Sequence, residues 1–467
     1  MNVKAFLLGL VWVLSASAIA PEEAARIKYS KQSFVCLDFG ETYVYRLKCG
    51  QERRIRLQAA TEYPDSVIGL MRRAEVLVEI DGAPLKLLCE PYVMPTEIAG
   101  LRIQADTTSR WMDLPKRVQF SLWDVSDPIV DTDLFVFPLA SYGLFSQGTQ
   151  GYNEPVHLGH RDGDPAGQRF YHNYGFDMAG FEGRDEVVAC VDGAVIALYR
   201  DMGTLIIEDD RGLIFEYGHM DKILPEIKEG VQVKRGRKLG LLGRKGASGN
   251  FSHLHVGVYL SKADFEAGRN CRNLNLYPWM MEAFRKSSGR TLFAVARPHK
   301  AVRTGETVRF DGTRSLAYGS KIKSFRWAFH DGTSVNSARA EKVYDRPGTY
   351  MAALWVEDEK GSRDVDFCKV KVYSRNKVED VMPILFLTYS PSRDIRAGQA
   401  VYFRGWPQGA EAAIIRLDFG DGTVIEDFAP YSEVSHSFQK RGVHVVTATT
   451  TAAGFSVTQK LKVIVEP

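Results

Sequence analysis

The chain repeats itself near its end: Trp327-Ala328-Phe329-His330-Asp331-Gly332-Thr333 returns 90 residues later as Leu417-Asp418-Phe419-Gly420-Asp421-Gly422-Thr423. Each copy follows a Gly-x-x-Val-x-Phe segment, Gly305 to Phe310 and Gly398 to Phe403. Each precedes an aromatic residue and a glycine turn: Tyr344 with Pro347-Gly348-Thr349-Tyr350, and Phe438 with Gly442-Val443-His444. A solenoid repeat spans about 20–50 residues, so a period this long, filled with short alternating segments, predicts two tandem β-sandwiches. The Asp-Gly-Thr triplets are read as turn formers, because Asp bonds the backbone two residues on and Gly tolerates left-handed angles.

These copies resemble polycystic-kidney-disease (PKD) domains, with W-x-F-G-D-G-T before a P-G-T-Y turn. His330 stands where that family has Gly, and Leu417 where it has Trp. The resemblance covers Leu292 to Pro467 and implies PKD-like domains over 292–375 and 380–467, which could bind polysaccharide or protein.

With 467 residues the chain is too long for one core, and three or four domains are expected. Lys4, an apolar run from Ala5 to Leu14 and the small residues Ser15 to Ala18 read as a signal peptide over 1–18. The run falls short of the ~20 residues that span a bilayer, so export to the periplasm or medium is expected, with no transmembrane segment. Residues 27–150 alternate apolar and polar, with a hairpin signal at Asp81-Gly82, and predict a β-domain without a chemical motif. Cys36 and Cys49 flank a strand-turn-strand pattern and are candidates for a disulfide, whereas Cys190 lies in an apolar stretch and reads as a buried thiol. A net charge of +3 disfavours nucleic acid as partner and suits an anionic polymer such as a cell wall.

Histidines concentrate between Gly151 and Gly289, where four of them, His172, His219, His253 and His255, invite a metal reading. In His253-Leu254-His255 a strand would turn both imidazoles to one face, one to hold a metal and one left free for a reacting group. Upstream stand Gly175-Phe176-Asp177, Val188 to Val195 with Asp192-Gly193, Tyr217-Gly218-His219, and a glycine series from Gly230 to Gly249. Residues Tyr277 to Lys286 read as a closing helix of this 151–289 segment.

That order of motifs resembles the lysostaphin/LytM-type zinc peptidases: H-x-G-x-D, V-x-A-x-x-D-G-x-V, Y-x-H, a glycine series and H-L-H. The resemblance implies zinc ligands at His172, Asp177 and His255, catalytic roles for His219 and His253, and hydrolysis of peptide bonds in peptidoglycan. Such a His₂Asp set leaves a fourth position for water. The spacing departs from the family, because four residues separate His172 from Asp177 and Asn173 occupies the usual histidine slot. The expectation is that His172 reaches in through a one-residue bulge. The alternative is a degenerate site with only Asp177 and His255; His157 and His160 read as loop histidines. The expected protein is therefore all-β and multi-domain, an exported zinc endopeptidase of the cell wall. Its rivals are a non-catalytic regulator of wall hydrolases and a PKD-based adhesion or polysaccharide-binding protein.

Overall fold

The computed structural model describes residues 29–466 apart from 68, 113, 158–169, 267–272, 376–382 and 409–413. The expected signal segment, His160 and Cys271 lie outside the described residues. Strands carry almost all of the regular structure, and the described helices are two, Lys262–Glu266 and Tyr277–Ser288. Among the described residues no helix is long and apolar enough to cross a membrane.

The first unit is a sandwich of two four-stranded antiparallel sheets. Ile55, Leu57, Val76 and Val78 of one sheet meet Leu101, Ile103, Phe120 and Leu122 of the other in a common core. The expected hairpin forms at Asp81-Gly82, where both residues adopt positive φ (53° and 87°) between the paired Ile80 and Ala83. Cys49 keeps a free thiol, so the Cys36–Cys49 pairing suggested by the sequence is not formed.

The second unit is built on a seven-stranded sheet in which His253–Tyr259 lies between Ile214–Gly218 and Phe176–Ala179. All seven residues of this strand are buried, as a central strand covered on both faces requires. Leu254, Val256 and Val258 pack one face against Phe176, Tyr217 and the helix Tyr277–Ser288. That helix carries Pro278 in its first turn and stops at Gly289, whose φ of 68° lets its N–H cap the Arg285 carbonyl. Cys190 is buried in the same core, its N–H bonded to the Tyr217 hydroxyl at 2.8 Å; burial pushes its thiol pKa up to about 12.

The repeats form two sandwiches. In each, the predicted turn closes as expected: the Asp331 carboxylate accepts the Thr333 N–H at 3.1 Å, and Asp421 accepts the Thr423 N–H at 3.0 Å. The two domains are not merely strung together, because Gly348 and Thr349 pair in parallel with Ser456 and Val457, merging their sheets into one of ten strands. The last domain also rests on the second unit. Ser390 bonds Asp185 at 2.7 Å, Arg184 pairs with Glu433 at 2.7 Å, and the Trp406 indole donates to the Asn250 carbonyl at 3.0 Å.

Candidate active site

Three strands bring the chemistry together. In the antiparallel register Asp177 stands directly opposite His255, and Gly218 stands opposite His255 on the other side. Directly opposed residues share a face, so Asp177, His253 and His255 must project together while Leu254 enters the core. His219 follows Gly218 at the end of its strand with φ of 66°, a conformation that non-glycine residues adopt sparingly and that recurs at functional sites. Gly175 is also demanded by the site, since a Cβ there would lie 2.6 Å from the His255 ring and 2.5 Å from the Val256 carbonyl.

The four groups form a compact cluster. His255 Nδ1 donates to Asp177 Oδ1 at 2.6 Å, and His253 Nε2 lies 3.8 Å from Asp177 Oδ2. The His219 ring centre is 4.5 Å from that of His253 and 6.2 Å from that of His255. Two backbone carbonyls set the tautomers: His219 Nδ1 donates to Lys245 O and His253 Nδ1 to Phe251 O, each at 2.8 Å. Both rings are thereby assigned a basic Nε2, the arrangement used for metal ligands and general bases.

The electrostatics follow from burial and the Asp177 carboxylate, with Glu216 a smaller influence on His255. Burial, then the neighbouring His253 and His255, push His219 down to about 3, so this ring is neutral at physiological pH. Burial also lowers His253, against the pull of Asp177. For His255 burial is outweighed by the charge and hydrogen bond of Asp177, and its pKa is raised. Asp177 is lowered despite complete burial, because the imidazoles favour its ionised form.

His172 does not join this cluster. Its Nε2 bonds the Met71 carbonyl of the first sandwich at 3.0 Å, and its ring meets Trp111 edge-on at 6.2 Å. No bulge forms in the strand that carries His172: Pro155 pairs with His172 in an unshifted ladder, and the bonds beside it, Asn173 N to Glu154 O at 3.0 Å and Asn153 N to Asn173 O at 2.8 Å, put the extra residue in the partner strand, at Asn153-Glu154, where Asn153 has φ of 63°. Strand alternation therefore turns His172 to the neighbouring domain and Asn173 inward. The ligand set expected from the resemblance is corrected at its first member. Asn173 is buried, its amide donating to Gln150 O at 3.2 Å and Gly175 O at 3.3 Å, and Gln150 is the ladder partner of Asp177.

The donors that remain can be tested against zinc. An ionised Asp177 oxygen and, once the proton it shares with Asp177 is released, His255 Nδ1 are the hard oxygen and imidazole nitrogen that zinc takes, already buried side by side with two further basic imidazoles adjacent. Among the described residues no group of three His, Cys, Asp or Glu is arranged as a complete metal site. The residues fit zinc, one strong ligand short of the usual three.

Sequence reasoning missed several contributors. Tyr174 meets the His255 ring edge-on at 4.7 Å, and Phe251 stacks on His253 at 4.6 Å. Phe386 of the last domain stacks on Phe251 at 5.3 Å, so the C-terminal sandwich supports the ring that stacks on His253. Adjacency to Gly175 and to the H-L-H strand was a signal for Tyr174 and Phe251; nothing local points to Phe386.

Residues 171–267 match Peptidase family M23, and residues 293–372 and 386–465 match the PKD domain, so the chain carries an M23 domain followed by two PKD domains. Among curated proteins it is similar to collagenase ColA of Clostridium perfringens, 35% identical over 86 residues, 18% of this chain and 8% of that protein. It is also similar to collagenase ColA of Bacillus cereus, 33% identical over 89 residues, 19% and 9% of the two chains. The chain thus spans under a tenth of the length of these relatives. Similar solved structures include a glycyl-glycine endopeptidase LytM from Ruminococcus gnavus, with 23% identity, 32% of this chain, 61% of that one and a TM-score of 0.22. Lysostaphin from Staphylococcus simulans follows, with 16% identity, 52% and 96% coverage and a TM-score of 0.25. A zinc-containing peptidase from Vibrio cholerae has 17% identity, 48% and 85% coverage and a TM-score of 0.24.

Proposed function

We propose that the chain is an exported, zinc-dependent endopeptidase that hydrolyses peptide bonds in peptidoglycan. The observation that carries this reading is the convergence of the buried Asp177, His255 and His253 with the half-buried His219, with two Nδ1–H groups held by backbone carbonyls. Asp177 and His255 would hold the ion. When bound, zinc supplies the Lewis acidity that readies water for attack near neutral pH and polarises the scissile carbonyl. His219, neutral through burial, accepts the proton of the attacking water at Nε2. His253, fixed by Phe251 O and stacked on the Phe251 ring, steadies the developing oxyanion or hands a proton to the leaving amine. Tyr174 and Gly175 confine the His255 ring, which keeps the Asp177–His255 pair in register.

The test is zinc content per chain together with release of soluble peptides from purified peptidoglycan, with and without a chelator. About one zinc per chain and chelator-sensitive release are expected; a metal-saturated chain that releases nothing would remove the enzyme reading. One observation favours a second reading. Asn173 stands where the resemblance expects a histidine, and a chain that stays metal-free and inert would act instead by binding wall peptides and regulating other hydrolases.

A further inference from the structure

The strand that carries Asp177 has a weak outer neighbour. Phe176–Ala179 lies between His253–Tyr259 and Thr149–Gln150, and the latter is a two-residue strand at the edge of the seven-stranded sheet. Gln150 is the ladder partner of Asp177 and Thr149 that of Met178, and the Ala179 N–H donates to the Gly148 carbonyl at 2.8 Å. Gly148 also abuts the other half of the site: a Cβ there would come within 2.9 Å of the Phe251 ring, which stacks on His253. An edge strand leaves its outward N–H and C=O groups without a strand partner, and two rungs alone hold little.

Arg297 takes the place of that missing strand. Buried at the start of the first PKD domain, it donates Nη1 to the Thr149 carbonyl at 2.7 Å and Nη2 to the Gln147 carbonyl at 3.4 Å. Its Nε donates to Asp366 Oδ1 at 3.2 Å, while Asp366 Oδ2 accepts the Ala296 N–H at 2.8 Å, so the PKD domain aims the guanidinium. Burial works against this cation, and Asp366 more than offsets it, leaving the pKa of Arg297 above its ordinary value. Bonds from a charged fork are the stronger kind, and this fork grips two carbonyls of one segment. We infer that Arg297 is a positioning residue for the site: it seals the sheet edge at 147–150 and thereby fixes the strand of Asp177 and the Phe251 ring that stacks on His253. Its effect on zinc rests on the peptidase reading; its hold on the Asp177 strand does not.

The experiment compares the full chain with Arg297→Met, Arg297→Lys and a control, Arg290→Met, which cuts a 3.3 Å ion pair to Asp364 and leaves the Arg297 bonds in place. Hydrogen exchange of the metal-free proteins is followed at the Ala179 amide, against the amides of the central strand Ile214–Gly218. Loss of the charged donor predicts that Ala179 exchanges roughly tenfold or more faster in Arg297→Met, with the central strand moved less. Zinc affinity, from competition with a chromophoric chelator, should weaken roughly fivefold or more. Arg297→Lys keeps the charge but cannot span Asp366 and both carbonyls with one nitrogen, so it should fall between wild type and Arg297→Met in both readouts. A residue that only docks the domains would lower the melting temperature, as Arg290→Met should, without either local change. Ala179 exchange that rises no more than that of the central strand, or unchanged zinc affinity in a folded Arg297→Met, overturns the inference. Where Arg297→Met does not fold, Arg297→Lys is read against wild type, and equal exchange overturns it likewise. A wild-type chain that takes up no zinc would count against the peptidase reading alone, and the exchange ratio would still decide the part played by Arg297.

Discussion

Replacing Asn173 by histidine tests the metal site at its weakest point. The wild-type chain presents two strong donors, Asp177 and His255, while the Asn173 amide is tied to Gln150 O and Gly175 O at 3.2 and 3.3 Å. Four-ligand zinc sites bind with about 10–16 kcal/mol, or about 2.5–4 kcal/mol per ligand. The loss of two long, neutral hydrogen bonds, about 1–2 kcal/mol together, lowers the stability of the variant in both its metal-free and metal-bound forms and leaves the affinity untouched. The ligand's gain of about 2.5–4 kcal/mol predicts zinc binding roughly a hundredfold or more tighter in Asn173→His. Competition with a chromophoric chelator at neutral pH measures this without reference to activity. His172→Ala supplies the contrast: zinc affinity should stay within about twofold, while stability falls by about 1–2 kcal/mol through loss of the Met71 bond and the Trp111 contact. Unchanged or weaker zinc binding in a folded Asn173→His, or loss of zinc in His172→Ala, would refute the strand-alternation argument.

His255→Ala should abolish zinc binding and peptide release while the circular dichroism spectrum persists; a variant that keeps stoichiometric zinc would exclude this ligand. His219→Ala and His253→Ala should keep zinc and lose about a hundredfold or more in kcat, and near-normal turnover in both would remove them from proton transfer. In the metal-free chain the unfolded state protonates His219 near pH 6.5 while the folded ring stays neutral down to about 3, so its contribution is complete above pH 6.5 and is lost as pH falls toward 3. Thermal unfolding of His219→Gln should therefore fall less between pH 7 and 4 than wild type, and parallel curves would contradict the assignment. Trp406→Ala should cost about 3–5 kcal/mol in urea titration, since its indole is buried on Asn250, Phe386 and Arg244; a loss below 1 kcal/mol would mean that the last domain does not brace the 244–251 loop.

Much of this protein was legible from local pattern. The Asp-Gly-Thr turns at Asp331 and Asp421, the hairpin at Asp81-Gly82 and the helix that begins at Tyr277 each depend on a few adjacent residues, so their sequence signals survive into the fold. The shared face of His253 and His255 follows from the two-residue period of any strand. The choice between His172 and Asn173 was not local. Which of two adjacent residues faces the cleft depends on the register of the Phe170–His172 strand against Pro155–His157, and a shift of one residue exchanges them. The resemblance supplied the ligand type and spacing, but the irregularity falls in the partner strand, where Asn153 and Glu154 both oppose Asn173, and not in the strand of His172, so nothing brings His172 in. The brace of Phe386 on Phe251 lay further from view, because it joins residues over a hundred positions apart. Such contacts carry no periodicity along the chain; they exist because burying the apolar faces of three sandwiches and one sheet leaves a particular set of side chains at the seams, and only packing in three dimensions selects that set.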